Sequence, residues 1–526
     1  LTADTKYYYR FGSSTQALQN GTENYFITAP DATTTRKIRI AAFGDCGRND
    51  NGFQTGSLSA YQNYVGNNPA EVLMLLGDNA YNSGTDGEYQ SNYFDVYSSN
   101  ILKNHQLFPA PGNHDYANNA TRQADHNVPY YSIFTNPANG ESGGVPSGTE
   151  AYYSYDWGNV HFLSLDSYGK ENGGSTRLYD TTGAQTLWVK QDLAANTKPW
   201  VIAYWHHPPY TMGSHNSDSE SELINMRQNF IRILERMGVD LIICGHSHDY
   251  ERSYLLNGHY GNESSFNINT HTISSTSGKY DGSSNSCVYT TNSGISNSGT
   301  VYVVAGSAGA DGGIQAGYPH NALPFSVDDG GMFYLEVEDN RLDAKFIRRT
   351  GAVADQFTLM KNVNKTTNLS IAAGTPTNLT ASWVGTYNWS TGATTRTISV
   401  APNSNTTYSV ADNQGCLTDQ FTIDITANFS NRSENTQKQV TDEGSKTISK
   451  IKIIPTLVKR GQSIIIENVA GQYLKGSLVD VNERVIKEFQ FIGSGLLSTD
   501  ALKNGIYFIR VLENNKFKTQ KIVVID

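Results

Sequence analysis

Ile38-Arg39-Ile40-Ala41-Ala42-Phe43-Gly44-Asp45-Cys46-Gly47 is the stretch on which the reading of the fold turns: a short, nearly continuous apolar run that stops abruptly at Gly-Asp. The same construction recurs along the chain. Val72-Leu-Met-Leu-Leu ends in Gly77-Asp78-Asn79-Ala80-Tyr81, Val201-Ile-Ala-Tyr-Trp in His206-His207-Pro208-Pro209, and Leu241-Ile-Ile runs on to Gly245-His246-Ser247-His248. Gly112-Asn113-His114-Asp115 has the same character, and Val160-His-Phe-Leu-Ser-Leu and Val301-Tyr-Val-Val are further runs of this kind. Runs without polar alternation suit strands covered on both faces. Helical stretches lie between them. Gly183 to Ala195 places Leu187, Val189, Leu193 and Ala194 on one expected buried stripe; Glu220 to Met237 does so with Leu223, Met226, Phe230, Ile233 and Leu234, and Gly238 is its stop. Strand, helix, strand order predicts a layered α/β core.

Outside residues 36–361 the pattern changes. Lys6-Tyr-Tyr-Tyr-Arg-Phe and Asn24-Tyr-Phe-Ile-Thr read as two strands joined by a polar loop, marginal alone and in need of a further partner. After Lys361 the chain turns to Thr, Ser, Asn and Gly with alternating apolar positions, as in Thr397-Ile-Ser-Val and Gln420-Phe-Thr-Ile-Asp-Ile, which predicts a small β-sandwich over 362–427. Residues 428–449 are polar and read as a linker, and 450–526 resume strand patterns as a further all-β module, with residues 1–35 standing apart at the other end.

Composition bounds what such a chain can do. The 526 residues exceed a single core, and the net charge of -10 argues against a nucleic-acid partner. Only 17% of residues are charged, while 11% are aromatic with 32 Tyr and 48 Gly, a balance that favours β-rich domains. Cys46, Cys244, Cys287 and Cys416 form no C-x-x-C pair and are expected to be individual structural thiols. No apolar run approaches the roughly 20 residues of a membrane span, so no integral membrane segment is expected. The first residue is Leu1, with no charged and apolar leader behind it, and the sequence reads as a fragment or a processed chain.

In an open α/β sheet the carboxyl ends of parallel strands share one edge, so the five clusters can converge on a single crevice. Their donors are oxygen and imidazole without thiolate, which suits zinc, manganese or iron. Asp45, Asp78, Tyr81, Asn113, His206, His246 and His248 are too many for one ion with an open position, so two ions are expected. His207 is set aside, because neighbours on an extended segment point to opposite sides. Cys46 and Cys244 are read as small buried hydrophobes.

In this order the clusters resemble the calcineurin-like metallophosphoesterases, and Tyr81, three residues after Asp78, narrows the resemblance to the purple acid phosphatases. His248-Asp-Tyr-Glu-Arg and Asp355-Gln-Phe-Thr extend it over residues 37–361. The resemblance implies a β-sandwich flanked by helices. It also implies an Fe(III) ion on Asp45, Tyr81 and His248, a divalent Fe, Zn or Mn on Asn113, His206 and His246, and Asp78 bridging the two. A phenol titrating near pH 10 becomes a ligand in acid only beside a strongly polarising cation, which agrees with Fe(III) at Tyr81. The implied activity is hydrolysis of phosphate monoesters by a metal-bridging hydroxide, with His114 and His215 as proton donors to the leaving oxygen. Asn216 stands where some members carry another His. The rival expectations are a phosphodiesterase or nucleotide hydrolase on the same site, which nothing in residues 251–330 separates, and a non-catalytic surface adhesion protein.

Leu1-Thr-Ala-Asp-Thr-Lys-Tyr-Tyr-Tyr-Arg resembles the end of a fibronectin-like domain, and the module around Tyr387-Asn-Trp-Ser-Thr-Gly and Asn413-Gln-Gly-Cys416 resembles bacterial immunoglobulin-like repeats, a spacer in the plainest reading. The last 75 or so residues resemble the C-terminal sorting domain of type IX secretion through Gly505-Ile-Tyr-Phe-Ile-Arg-Val and Lys521-Ile-Val-Val, with Ile454-Pro455-Thr456 in place of the usual Asn-Pro. That implies a partner in the secretion machinery, and a protein secreted from, or held on the outer surface of, a Gram-negative bacterium.

Overall fold

The apolar runs form strands, and their burial on both faces has a direct cause: two sheets lie face to face and helices close each outer side. The computed structural model describes residues 1–48, 51–171 and 174–426, and within 451–525 the stretches 451–454, 457–459, 463–468, 473–480, 484–492, 495–499, 502–513 and 516–525. The strands of the sandwich are β1 (Ile38–Phe43), β2 (Val72–Leu76), β3 (Gln106–Ala110), β4 (Tyr153–Trp157), β5 (Val160–Ser164), β6 (Trp200–Trp205), β7 (Leu241–Cys244), β8 (Tyr250–Arg252), β9 (Tyr289–Thr291), β10 (Val301–Ala305), β11 (Gly331–Glu338), β12 (Arg341–Arg348) and β13 (Val353–Lys361). One sheet runs β9-β13-β12-β11-β1-β2-β3 and the other β8-β10-β7-β6-β5-β4. β1, β2 and β3 are parallel to one another, as are β5, β6, β7 and β10.

Between the sheets Ile40, Met74, Phe162, Ile202, Ile243 and Val303 are buried together, and Phe108, Tyr155 and Phe162 stack with centroid separations of 3.6 and 4.7 Å. The alternate residues point outward. Phe43, Leu73 and Tyr334 pack on the helix Phe53–Val65, and Ala203, Trp205 and Ile242 pack on Ala184–Ala195 and on the helical segment from Ser221 to Arg236. In that segment a π-turn, Met226–Phe230, joins two α-helical parts and keeps Leu223, Met226, Phe230 and Leu234 buried; Ile233 is half-buried, and Gly238 ends the run at φ 77°.

The stripe expected on Ala184–Ala195 needs correction. Leu187 and Ala194 are exposed, and Gln185, Trp188, Val189, Asp192 and Leu193 face inward. Polar residues hold that face because they have partners: Gln185 bonds the backbone of Asp166, and Asp192 accepts from Ser154 and Val145 and meets His161 at 2.6 Å.

Lys6–Tyr8 pairs with Tyr25–Ile27, and Arg36 ties this hairpin down through Asp4 at 2.6 Å and Glu71 at 2.7 Å. Beyond β13 a four-stranded sheet (Thr366–Ala372, Thr418–Thr426, Thr406–Ala411, Asn388–Trp389) and a pair (Thr377–Thr380 with Thr397–Val400) enclose Leu379, Trp383, Trp389 and Ile423. Val288 and Met360 of the preceding domain belong to the same core. Cys287 and Cys416 form a disulfide there, with Cα atoms 5.3 Å apart, which corrects the expectation of four separate thiols. Cys46 and Cys244 are free and buried, as expected.

The chain divides into two compact units, Leu1–Phe429 and Ser430–Asp526. The second consists of a three-stranded and a five-stranded sheet around Ile464, Leu478, Leu497, Ile509 and Ile522. The expected linker over 428–449 lies outside the described residues, as do Pro455 and Thr456. No helix among the described residues is long and apolar enough to cross a membrane.

Candidate metal centre

Five strand ends and the loops after them put donors on one edge of the sandwich. Asp45 follows β1, Asp78 and Tyr81 follow β2, Asn113 follows β3, His206 follows β6, and His246 and His248 follow β7. The chain turns sharply at three of these positions: Asp45, Asp78 and His246 have φ of 56°, 52° and 70°. That left-handed conformation costs a non-glycine residue on the order of 1 kcal/mol and folds each side chain back over the sheet edge. Glycine makes the close approach possible. A Cβ on Gly77 would lie 2.6 Å from Nδ1 of His206, and one on Gly112 would lie 2.2 Å from Oδ1 of Asp78.

The resulting cluster is dense and buried. The Tyr81 hydroxyl lies 2.8 Å from Oδ1 of Asp45, 2.9 Å from Oδ2 of Asp78 and 3.1 Å from Nε2 of His248. Oδ2 of Asp78 is also 3.1 Å from Nε2 of His206, which is 3.2 Å from Nδ1 of His246. Asp78 is therefore common to two groups, one around Tyr81 and one around His206. Nδ1 of His206 faces the Leu76 carbonyl at 2.9 Å, so that nitrogen carries hydrogen and Nε2 is turned to the cluster. Asn113 donates through Nδ2 to Asn118 at 2.8 Å, while its Oδ1 is buried with no hydrogen-bond partner.

This donor set fits cations. One phenol hydrogen is shared between two carboxylates, and an amide oxygen, a good ligand for a hard ion, is left over. Burial, and after it the Asp45 and Asp78 carboxylates, push the Tyr81 phenol well above its ordinary value. Burial would also raise Asp78, but the His206 charge overrides it and holds the carboxyl below its usual range, while His206 is pushed up to about 9, Asp78 and Asp45 outweighing its burial. Protons thus sit where positive charge is wanted, and cation binding would release them.

His114 and His215 border the cluster. His114 donates its backbone N–H to Oδ1 of Asp78 at 2.8 Å, lies ring to ring with Tyr81 at 4.3 Å, and has Nε2 3.9 Å from Oδ2 of Asp78. His215 stacks on His246 with centroids 3.7 Å apart. His207 contacts Ser167 at 2.9 Å, but the chain bends after Trp205, so the expected alternation does not hold: its ring lies 5.0 Å from that of His206 and packs beside His246 at 4.3 Å.

Two carboxylates were not legible as site residues. Glu220 accepts from Nδ1 of His215 at 2.9 Å and from the Asn216 N–H at 2.8 Å, and lies 3.6 Å from Nε2 of His246. Burial opposes its ionisation, yet the His215 and His246 contacts hold it well below the usual range. Asp115 is fully buried and fastens two loops, accepting from Gly112 N–H, Asn79 N–H and the Tyr89 hydroxyl at 2.8, 3.1 and 2.6 Å. The motif residues near the domain end also meet: Arg252 grips Asp355 at 2.5 and 3.0 Å, and Tyr250 donates to it at 2.9 Å, joining β8 to β13.

Residues 38–250, the stretch that carries the sheet edge and its donors, match the family model described as calcineurin-like phosphoesterase. Several of the proteins it is similar to are named as purple acid phosphatases or acid phosphatases. Purple acid phosphatase 15 of Arabidopsis thaliana is 28% identical over 281 residues, which are 48% of this chain and 48% of that protein. Tartrate-resistant acid phosphatase type 5 of Mus musculus is 26% identical over 243 residues, 43% of this chain and 69% of that protein. The chain spans about half the length of the plant relatives it matches. Among solved structures, the purple acid phosphatase PPD1 from yellow lupin seeds aligns with a TM-score of 0.48 at 18% identity, covering 64% of this chain and 56% of that one.

Proposed function

We propose that the chain is a metal-dependent phosphomonoesterase of the acid phosphatase type. In this reading Asp45, Tyr81 and His248 would hold Fe(III), Asn113, His206 and His246 would hold Fe(II), Zn(II) or Mn(II), and Asp78 would serve both ions. The observation that carries it is the Tyr81 hydroxyl, buried within 2.8–3.1 Å of donors from three separate strand ends. When bound, such a pair supplies positive charge for a phosphate dianion and its transition state and lowers the pKa of a nucleophilic water.

The chain's own residues supply orientation and protons. Glu220 takes Nδ1 of His215, and the Asn82 carbonyl takes Nδ1 of His114 at 2.6 Å, so each imidazole keeps Nε2 to hold a proton for the leaving oxygen. The buried sheet edge excludes water from behind the donors. The Cys287–Cys416 bridge supports export, since disulfides persist in oxidising compartments; type IX secretion through Ser430–Asp526 to the outer surface of a Gram-negative bacterium completes the reading.

Elemental analysis with a substrate panel across pH tests it. Close to two metals per chain and a higher kcat/KM for aryl phosphomonoesters than for bis-aryl diesters are expected. The reverse preference would make it a phosphodiesterase, and a metal-free, colourless chain that binds surfaces would make it an adhesion protein. Recovery of the chain in the cytoplasmic fraction alone would remove export.

A further inference from the structure

The loop that carries Asp45 continues into a permanent cation. Arg48 is half-buried, and its guanidinium carbon lies 5.7 Å over the ring of Tyr81, the residue whose hydroxyl joins the two halves of the cluster. Its backbone has little freedom. A Cβ on Gly309 would lie 2.5 Å from the Arg48 carbonyl oxygen, and Gly47, one residue earlier, accepts the Tyr81 N–H at 3.1 Å. The start of the Arg48 side chain is thereby fixed beside Tyr81. The same ring carries His114 at 4.3 Å, so the cation and the candidate proton donor share one aromatic support.

Resting on the proposed phosphoesterase reading, we propose that Arg48 is a specificity-determining residue that favours phosphoryl groups with two negative charges, phosphomonoester dianions, over the single charge of a diester. Coulomb attraction scales with the charge of the ligand, so removing one guanidinium costs a dianion twice the free energy it costs a monoanion. A loss of about tenfold for the dianion therefore corresponds to about threefold for the monoanion, the square root of the first. A cation over the Tyr81 face further stabilises negative charge on its oxygen, which ties Arg48 to the colour of the centre as well as to its substrate.

The test uses the full chain with its metals and the variants Arg48→Gln and Arg48→Lys. Inorganic phosphate is titrated by the shift of the visible band and by calorimetry, and kcat/KM is measured for one aryl monoester and its bis-aryl diester. Arg48→Gln is expected to weaken phosphate about tenfold and lower monoester kcat/KM similarly, to lower the diester value about threefold, and to move the band. Arg48→Lys should restore part of each. Equal losses for both esters, or phosphate affinity and band unchanged in a variant that keeps two metals, would overturn the proposal while leaving the phosphoesterase reading intact. A wild-type chain that carries no metal and binds no phosphate would overturn both.

Discussion

Replacing Tyr81 by Phe removes one oxygen from a cluster in which that oxygen touches three other donors. The visible band of an Fe(III)-loaded chain should vanish in Tyr81→Phe, and an absorption spectrum that keeps its colour would break the ligand assignment. Glu220 acts one step further out, through His215 and His246. Outer partners of metal-binding imidazoles are commonly worth 10–100-fold in affinity or activity, so Glu220→Ala should lower kcat/KM by about that factor and weaken the second metal, with Glu220→Asp restoring part. A competition assay with a chelator reads the second effect separately. Six of the seven candidate donors stood out because Gly-Asp, Asn-His, His-His-Pro and His-x-His follow apolar runs, and Tyr81 stood out through its spacing from Asp78. Glu220 was not, because nothing in a Ser/Asp/Glu-rich stretch distinguishes the acid that turns inward from its solvated neighbours. Asp115 stood inside a recognised cluster, but its role depends on Asn79 and Tyr89, which belong to another loop.

At the scale of elements, strands were easier to read than the facing of helices. β1, β2, β6 and β7 are apolar throughout because they are covered on both sides, and the pattern says so without any partner being known. Ala184–Ala195 misleads for the opposite reason, since the partners that bury Gln185 and Asp192 lie on other elements and leave Leu187 in water. His161 on β5 sits between Asp156 at 2.8 Å and Asp192 at 2.6 Å. Burial opposes its charge, but the hydrogen bonds to both carboxylates win and raise it to about 9. The stabilisation is complete below the unfolded value near 6.5 and fades as pH rises through about 9. The Tm gap between wild type and His161→Gln should therefore be widest below pH 6.5 and shrink by about pH 9.5; a gap independent of pH would contradict this. In the helical segment opposite, Phe230→Ala should cost about 3–5 kcal/mol in denaturant unfolding, because its fully buried ring packs on Trp205.

Across the whole molecule two features set the limits of stability. His259 is buried with neither ring nitrogen hydrogen-bonded, and His320 with Nε2 unpartnered while its Nδ1 accepts from the Ala322 N–H at 3.1 Å; burial, followed by neighbouring imidazoles, lowers them to about 4 and about 3. Their neutral forms favour the folded state above the unfolded value near 6.5, and that advantage is lost as pH falls toward about 4. Acid unfolding of His320→Asn should accordingly begin at lower pH than in wild type. The second feature is the Cys287–Cys416 bridge, invisible to spacing rules because its ends are 129 residues apart and lie on either side of the expected domain border. Cys287→Ser with Cys416→Ser should lose about 2–5 kcal/mol, and a reducing agent should lower the Tm of wild type but not of the double variant. The bridge also governs how the protein bears load. Tension entering from beyond residue 426 reaches Cys416 and passes straight to Cys287, so the intervening loop, β13 included, is shielded from the pull. In an optical trap that loop would stay hidden until the sulfurs part, and reduction would then release extra contour length on the order of 400 Å.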